Sequence, residues 1–267
     1  MGKSSSPIFK YGKIKNKTIQ IMINSKLVFL GRKKPEYYNG ILIKADTGLH
    51  DQVANTIQEL VKGQKVSILD SGAGEGALAS RLTDLGHKVT AIDIDEEAFR
   101  CPQAEFNKIN FDDSSDFAQF VNSNENKFDV VVSTEVIEHI EDQWGYARQL
   151  RKMLKPGGHM VITTPNTASY MSRFDFLRKG QFLSFDDHGL TYGHISPITP
   201  WELNLILNRC DLENVTVKPA GTLPPLYLVP TREVIKSLIM LFVRPFMRGQ
   251  INGWCTIATA QKPIVDK

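Results

Sequence analysis

The sequence predicts an α/β domain built on a doubly wound, mostly parallel sheet. Three observations carry that expectation. From Lys65 onward, short apolar runs of strand length alternate with amphipathic stretches of helical period, as repeated βαβ units require. The clearest run, Val130-Val131-Val132, is apolar at consecutive positions, which fits a strand covered on both faces. A Gly-x-Gly-x-Gly segment, Gly72 to Gly76, follows the apolar run 66–69 and opens directly into a helical pattern.

The bulk composition suits such a domain. Of 267 residues, 42% are hydrophobic and 23% charged, which allows a sizeable core in a soluble chain. The three cysteines, Cys101, Cys210 and Cys255, lie far apart with no Cys-x-x-Cys pair. That excludes a zinc cluster or disulfide framework and suits a reducing cytoplasm. Charge is uneven: residues 1–35 hold nine Lys or Arg and no acid, leaving 23 basic against 29 acidic residues in the remainder. A basic arm on an acidic body is either a solvated tail or a contact for phosphates or anionic lipid. No N-terminal run has signal-peptide character. The longest apolar stretch, 234–243, is broken by Lys236 and is about half of the roughly 20 residues a spanning helix needs. A cytoplasmic protein, at most peripheral at the inner face of a membrane, is expected.

Element by element, 18–23 and 26–30 read as a hairpin, so 1–45 is assigned as a basic N-terminal extension. The main domain, 46–267, opens with a helix at 46–62, where Leu49, Val53, Ile57 and Leu60 recur at three-to-four spacing. Strands are expected at 66–69, 89–92, 105–109, 128–132 and 159–163. Helices are expected at 77–85, 96–100 and 142–154, the last stopped by Pro156-Gly157-Gly158. Beyond Pro165 the rhythm breaks, and 166–200, rich in aromatics, glycine and charge, reads as a lid insertion. A helix with proline in its first turn covers 200–208. The last strands, 215–217 and 254–260, flank an insertion at 222–250 that carries the apolar helix 231–243.

Glycines at 72, 74 and 76 let the backbone approach a ligand crossing the strand's carboxyl end, where any Cβ would hold it off. Two details separate this loop from a dinucleotide loop. The spacing is Gly-x-Gly-x-Gly, and Asp70 ends the strand before it, where a carboxylate suits an ammonium group better than a pyrophosphate. Asp93 ends the next strand and can accept bonds from both ribose hydroxyls. Asp95 is the better cap for the helix that follows.

Segments 66–82, 89–95 and 128–140 together resemble the class I S-adenosylmethionine-dependent methyltransferases, and within them the branch of the ubiquinone-biosynthesis O-methyltransferases. The resemblance covers about 48–166 plus the closing strands. It implies a Rossmann-like fold whose seventh strand, 254–260, is antiparallel, and S-adenosylmethionine as cofactor. Asp70, Gly72, Gly74 and Gly76 would wrap its methionine end, while Asp93 holds the ribose with Ile94 beside the adenine. Asn110 and Phe111 would face the adenine, and Thr134 or Glu135 would close the site. Many relatives carry Asp at position 110, and an amide oxygen can still accept from the adenine amino group.

Methyl transfer from a sulfonium is an in-line displacement, so the protein chiefly aligns the partners and removes a proton. Glu135, Glu138 and His139, at helical i, i+3 and i+4, would share one face. The principal expectation is that no metal is held and that His194, Glu135 and His139 act nearest the reacting atoms. The alternative is a divalent metal held by Glu135, Glu138, His139 and His194, since metal-dependent small-RNA 2′-O-methyltransferases carry the same five letters, Glu-x-x-Glu-His at 135–139, followed by a later His. His50 is expected to cap its helix, and His188 to lie in a surface loop. The helix at 231–243 is read as core, as a homodimer contact, or as a peripheral membrane contact with Arg244 and Arg248 near anionic headgroups.

The expected function is O-methylation of a small-molecule or lipid- or sugar-linked acceptor. The rivals are a metal-dependent RNA 2′-O-methyltransferase and a cofactor-binding scaffold without catalysis. Nucleic acid is the less expected partner, because no basic stretch is interleaved with aromatics.

Overall fold

The computed structural model describes residues 28–29, 34–224, 226–227 and 232–264. In chain order, β1 (Val28–Phe29) precedes β2 (Glu36–Tyr38), β3 (Ile41–Ile43) and α1 (Leu49–Leu60). Next come β4 (Ser67–Ser71), α2 (Ala77–Asp84), β5 (Lys88–Asp93), β6 (Glu105–Lys108), α3 (Ser114–Ser123) and β7 (Phe128–Thr134). A 3₁₀ turn at Ile137–His139 leads to α4 (Gln143–Met153), β8 (Leu154–Pro165), α5 (Tyr170–Lys179), α6 (Asp187–Leu190), α7 (Pro200–Arg209) and β9 (Glu213–Ala220). β10 (Leu226–Tyr227), α8 (Arg232–Val243) and a second 3₁₀ turn, Arg244–Phe246, precede β11 (Cys255–Gln261).

Seven strands form the main sheet in the order β6-β5-β4-β7-β8-β11-β9. Every pairing is parallel except those of β11, which runs antiparallel to both β8 and β9. The expected fold, including the reversed closing strand, is the observed one. Side chains alternate across the strands, so β7 sends Val131 into one core layer and Val130 and Val132 into the other. All three are fully buried, each stabilising the sheet by roughly 1.5–3 kcal/mol. Helices α3, α4 and α7 cover one face, and α1, α2 and the β2–β3 hairpin cover the other.

Local chemistry explains where elements begin. Asp113, Asp142 and Thr199 cap α3, α4 and α7, each accepting a backbone N–H of the first turn. Asn39 and Gly40 both have positive φ, 49° and 79°, and turn β2 into β3 as an Asn-Gly pair favours. The hairpin expected at 18–30 lies outside the described residues except for Val28 and Phe29, which instead pair in parallel with Leu226 and Tyr227.

Two other expectations are corrected. The helix expected at 96–100 is a single turn tied by Ala98 N–H to Asp95 Oδ1 at 3.1 Å; Pro102 disfavours helical backbone just ahead of it, and Phe99 is drawn into packing against Gly76. The fifth strand starts at Leu154 rather than His159. Pro156 and its two glycines fall at a register shift in the β7–β8 ladder and do not end it.

Helices α5 and α8 form a satellite core in which Tyr170, Met171, Leu223 and Met240 pack together. Within it Lys236 Nζ meets Asp175 Oδ1 at 2.9 Å and Oδ2 at 3.1 Å, both side chains being buried. Removing one member of a buried pair strands the other. Asp175→Ala is therefore expected to cost about 3 kcal/mol or more in chemical denaturation. Lys236→Met should cost clearly less, because Lys179 and Arg178 remain 3.8 and 4.0 Å from the carboxylate. Equal losses would show that Lys179 and Arg178 do not compensate the Asp175 carboxylate once Lys236 is gone.

Asp70 is 1% exposed at the end of β4 and its Oδ2 has no hydrogen-bond partner. Burial first, and the Asp93 carboxylate second, push its pKa up from 3.8 to about 7. A raised folded-state pKa means a contribution that is fully present below pH 4 and lost as pH rises through 7. Asp70→Asn is thus expected to raise Tm relative to wild type at pH 8 and to leave it little changed at pH 4. A fall in Tm at pH 8 would mean that the charged form is stabilised by the fold.

Candidate functional site

The loop after β4 is an extension of the parallel ladder. Gly72 and Ala73 N–H groups both donate to Ile92 O on β5, at 2.8 and 3.1 Å. Gly72 has φ 80°, and a Cβ there would lie 2.3 Å from Val136 Cγ2, so the turn admits only glycine. Gly74 N–H donates to Asp93 Oδ2 at 2.8 Å, and Asp93 Oδ1 accepts from Asp95 N–H at 3.0 Å. The strand-end carboxylate and the loop are thereby one unit. Gly76 serves packing instead: a Cβ there would come 2.7 Å from the Phe99 ring.

Above this unit lies a cavity of about 810 Å³ at the carboxyl ends of the strands. Gly72, Gly74, Asp93 and Ile94 line one end, with Asn110 and Phe111 beside them. Phe111 is held edge-on by Phe117 and Tyr146 at ring-centroid distances of 5.2 and 5.4 Å, while Asn110 Oδ1 accepts from Asp112 N–H at 3.0 Å. Thr134 and Glu135 line the middle, and His139 and His194 the far end. Asp70 and Gly76 do not reach the cavity.

The N-terminal side contributes more than the sequence suggested. Leu42, Lys44, Asp46 and His50 line the cavity, and Lys44 pairs with Glu75 of the glycine loop at 3.2 Å. His50 is not a cap: Gly48 holds that position in α1, without a side-chain bond. The ring is buried over the cavity, and burial, aided by Arg81, lowers its pKa to about 4. The Asn39-Gly40 hairpin, which brings β3 alongside, was the available signal. From 166–200, Ser184, Asp186, His188 and Tyr192 line the rim, so His188 is exposed yet belongs to the site.

Glu135, Glu138 and His139 do not lie on one helical face as expected. Glu135 follows β7 in the left-handed region, φ 54°, and only Ile137–His139 are helical, in a 3₁₀ turn. That backbone aims Glu135 at β8 and β11, where it accepts from Thr163 Oγ1 at 2.9 Å and from Cys255 Sγ at 3.4 Å. Burial raises its pKa to about 7. Glu138 is fully buried, and neither carboxylate oxygen has a hydrogen-bond partner. Burial, together with Glu135, holds it well above the usual carboxylate range.

His194 arrives at this turn by a backbone clamp. Ile195 and Ser196 N–H groups both donate to Glu138 O, at 3.1 and 3.0 Å, and Gln143 Nε2 donates to Ser196 O at 2.9 Å. The His139 and His194 rings then meet edge-on at 4.9 Å. Each donates its Nδ1 proton to a backbone carbonyl at 3.0 Å, His139 to Gly193 and His194 to Ser184. A carbonyl only accepts, so the neutral form of each ring leaves Nε2 unprotonated. Burial, then the neighbouring His194, lowers the His139 pKa and favours that neutral form.

A family model described as a methyltransferase domain matches residues 46–217, more than half of the chain. The ubiquinone biosynthesis O-methyltransferase of Aliivibrio fischeri (strain MJ11) is 30% identical over 155 residues, covering 57% of this chain and 64% of that protein. The protein of the same name from Caulobacter vibrioides is 35% identical over 104 residues, 38% of this chain and 41% of its own length. The matched region thus spans less than two thirds of these relatives. Among solved structures, a SAM dependent methyltransferase from Archaeoglobus fulgidus superposes with TM-score 0.56 at 17% identity, over 80% of this chain and 94% of that one. The CurJ carbon methyltransferase does so with TM-score 0.51 at 16% identity, over 80% and 54%. These likenesses establish the fold. On the match of its sequence to the family model, the chain belongs to the methyltransferase domain family.

Proposed function

We propose that this protein transfers the methyl group of S-adenosylmethionine to a hydroxyl oxygen of a small-molecule or lipid- or sugar-linked acceptor. The observation that carries the reading is one continuous cavity joining the Asp93–Gly74 unit to His139 and His194. The residues suit the cofactor. Asp93 keeps lone pairs free for ribose hydroxyls, Phe111 and Ile94 offer apolar surface to an adenine, and the glycine backbone accepts close approach. Bound there, the cofactor supplies an activated methyl group on a sulfonium. The protein's own task is alignment and removal of a proton. An attacking hydroxyl must lose its proton, whereas a neutral amine can attack first. In the neutral rings the Nε2 atoms at the far end can accept that proton, which favours oxygen as acceptor atom. A smaller cavity of about 220 Å³, sharing Glu135, Ser184 and His194 and reaching Trp254 and Cys255, offers room for the acceptor.

The lipid-tailed option has support from the surface. On α8 and the turn after it, Ile235, Phe242 and Phe246 are 62%, 78% and 86% exposed, and Leu177 at the end of α5 is 82% exposed. Arg178 and Lys179, next to Leu177 in the chain, and Arg248, two residues after Phe246, are exposed as well. No helix among the described residues is long and apolar enough to cross a membrane. Exposed apolar side chains with arginine and lysine close by in the chain fit shallow seating in an anionic bilayer.

Calorimetry with S-adenosylhomocysteine tests the cofactor reading: wild type is expected to bind 1:1, and Asp93→Ala to bind at least about 10-fold more weakly, the loss of charge-assisted hydrogen bonds. Unchanged binding would remove Asp93 from the site. For the surface, co-sedimentation with phosphatidylglycerol vesicles should fall at least about 10-fold in Phe242→Glu/Phe246→Glu, since each buried aromatic contributes roughly 1.5–3 kcal/mol. Binding that is absent in wild type, with a dimer in solution instead, would assign this face to a second copy.

A further inference from the structure

We propose that Tyr146, a buried residue of α4 that does not line the cavity, sets cofactor affinity by holding the Phe111 ring as a wall of the nucleoside end. This role rests on the cofactor reading above and adds to it a positioning residue. Tyr146 acts through two attachments, a hydroxyl bonded to the sheet and a ring edge set against Phe111.

The first attachment begins in the strand pattern. On the sheet face covered by α4, Leu69 of β4 lies beside Val131 of β7, and both are fully buried. Two residues on, the strand period returns to the same face with Ser71 and Ser133, which are fully buried as well. Hydroxyls at the ends of two apolar stripes are costly unless each is bonded. Tyr146 meets both: its hydroxyl oxygen lies 2.8 Å from Ser71 Oγ and 3.0 Å from Ser133 Oγ. A phenol can donate to one hydroxyl and accept from the other, and burial pushes its pKa further up, so it keeps its proton. The ring is thereby fastened across β4 and β7, one residue ahead of Gly72.

The second attachment is aromatic. Phe111 lies between β6 and α3, in neither element, so no ladder or helix directs its side chain. Its ring is met instead by Tyr146, with planes at 66°, and by Phe117, with planes at 73°. Both are edge-to-face contacts, the arrangement that aromatic quadrupoles favour. The Phe117 and Tyr146 rings lie 5.9 Å apart, so the three form one cluster. Phe117 belongs to α3, which starts only three residues after Phe111, whereas Tyr146 is the member bonded to the central strands. Through it the position of Phe111 is referred to the ends of β4 and β7, the same ends that carry the glycine loop and Thr134 to the cavity. A ring fixed before the ligand arrives offers its surface without the cost of ordering it on binding.

Calorimetry of the full chain with S-adenosylhomocysteine tests this through a double-mutant cycle. Tyr146→Leu is expected to bind about 3- to 10-fold more weakly than wild type, the effect of losing an aromatic edge contact. Tyr146→Phe keeps the ring and is expected to bind within about 2-fold of wild type, at a lower Tm because Ser71 and Ser133 lose their partner. In a Phe111→Leu background, Tyr146→Leu should weaken binding by no more than about 2-fold further. An equal loss with and without the Phe111 ring would mean that Tyr146 acts on the fold as a whole, and would overturn the proposal. So would a Tyr146→Phe protein that binds as weakly as Tyr146→Leu. Should Tyr146→Leu fail to fold, Tyr146→Met carries the same cycle, since its flexible side chain fills irregular core space without a ring edge. Wild type that does not bind S-adenosylhomocysteine overturns the cofactor reading and this role with it. Wild type that binds, with losses that simply add, overturns this role alone.

Discussion

Much of this molecule depends on Ile92 O accepting two amides, from Gly72 and Ala73, at 2.8 and 3.1 Å. A parallel ladder brings strand ends to one rim but leaves their last carbonyls in need of donors. By supplying them from the glycine loop, the chain bends back over β5 at the point where Asp93 emerges. The Gly74 amide then closes onto the Asp93 carboxylate at 2.8 Å. Glycine is required at position 72 because the same bend presses the backbone against Val136, itself the start of the 3₁₀ turn that presents Glu138 and His139. Ladder, loop and turn are therefore one mechanical assembly, and the two ends of the cavity are positioned by the same contact.

That assembly explains which parts of the molecule the sequence disclosed. Strands β4, β5 and β7 carry short apolar runs bounded by strong stop signals, and local pattern and tertiary demand agree there. The meeting of Gly72, Gly74 and Asp93 at one strand edge was legible for the same reason, since it is set by backbone geometry within one βαβ unit. The helical reading of Glu135 to His139 failed at one residue. Glu135 takes a left-handed backbone at the end of β7, and periodicity carries no information about such a break. One residue out of helical phase sends Glu135 to Thr163 and Cys255 and leaves Glu138 with His139.

His50 and the β2–β3 hairpin were hidden differently. Asn39-Gly40 is a strong turn signal, but its strands have three residues each and little alternation to mark them. What stabilises them is tertiary: Tyr38 OH and Asn39 Nδ2 reach Asp84 at 2.9 and 2.8 Å, and Arg81 lies over the Tyr38 ring at 4.1 Å. Those contacts seat β3 against α2 and bring Leu42, Lys44 and Asp46 to the rim. A segment that folds only against the finished domain leaves little trace in its own periodicity.

The far end of the cavity is less stable than the near end by construction. Around Asp93, polar groups are satisfied by backbone amides. Around Glu138 they are not, and the partner that approaches it, His194, is carried on a segment tied to the turn through Ile195 and Ser196 to Glu138 O, Gln143 to Ser196 O and His139 to Gly193 O. Breaking those bonds would open the buried carboxyl to water, which relieves its desolvation. The cost of burying an unpartnered group at Glu138 is thus set against the bonds that hold 184–196 in place, and protonation of the carboxyl, which burial favours, lowers that cost.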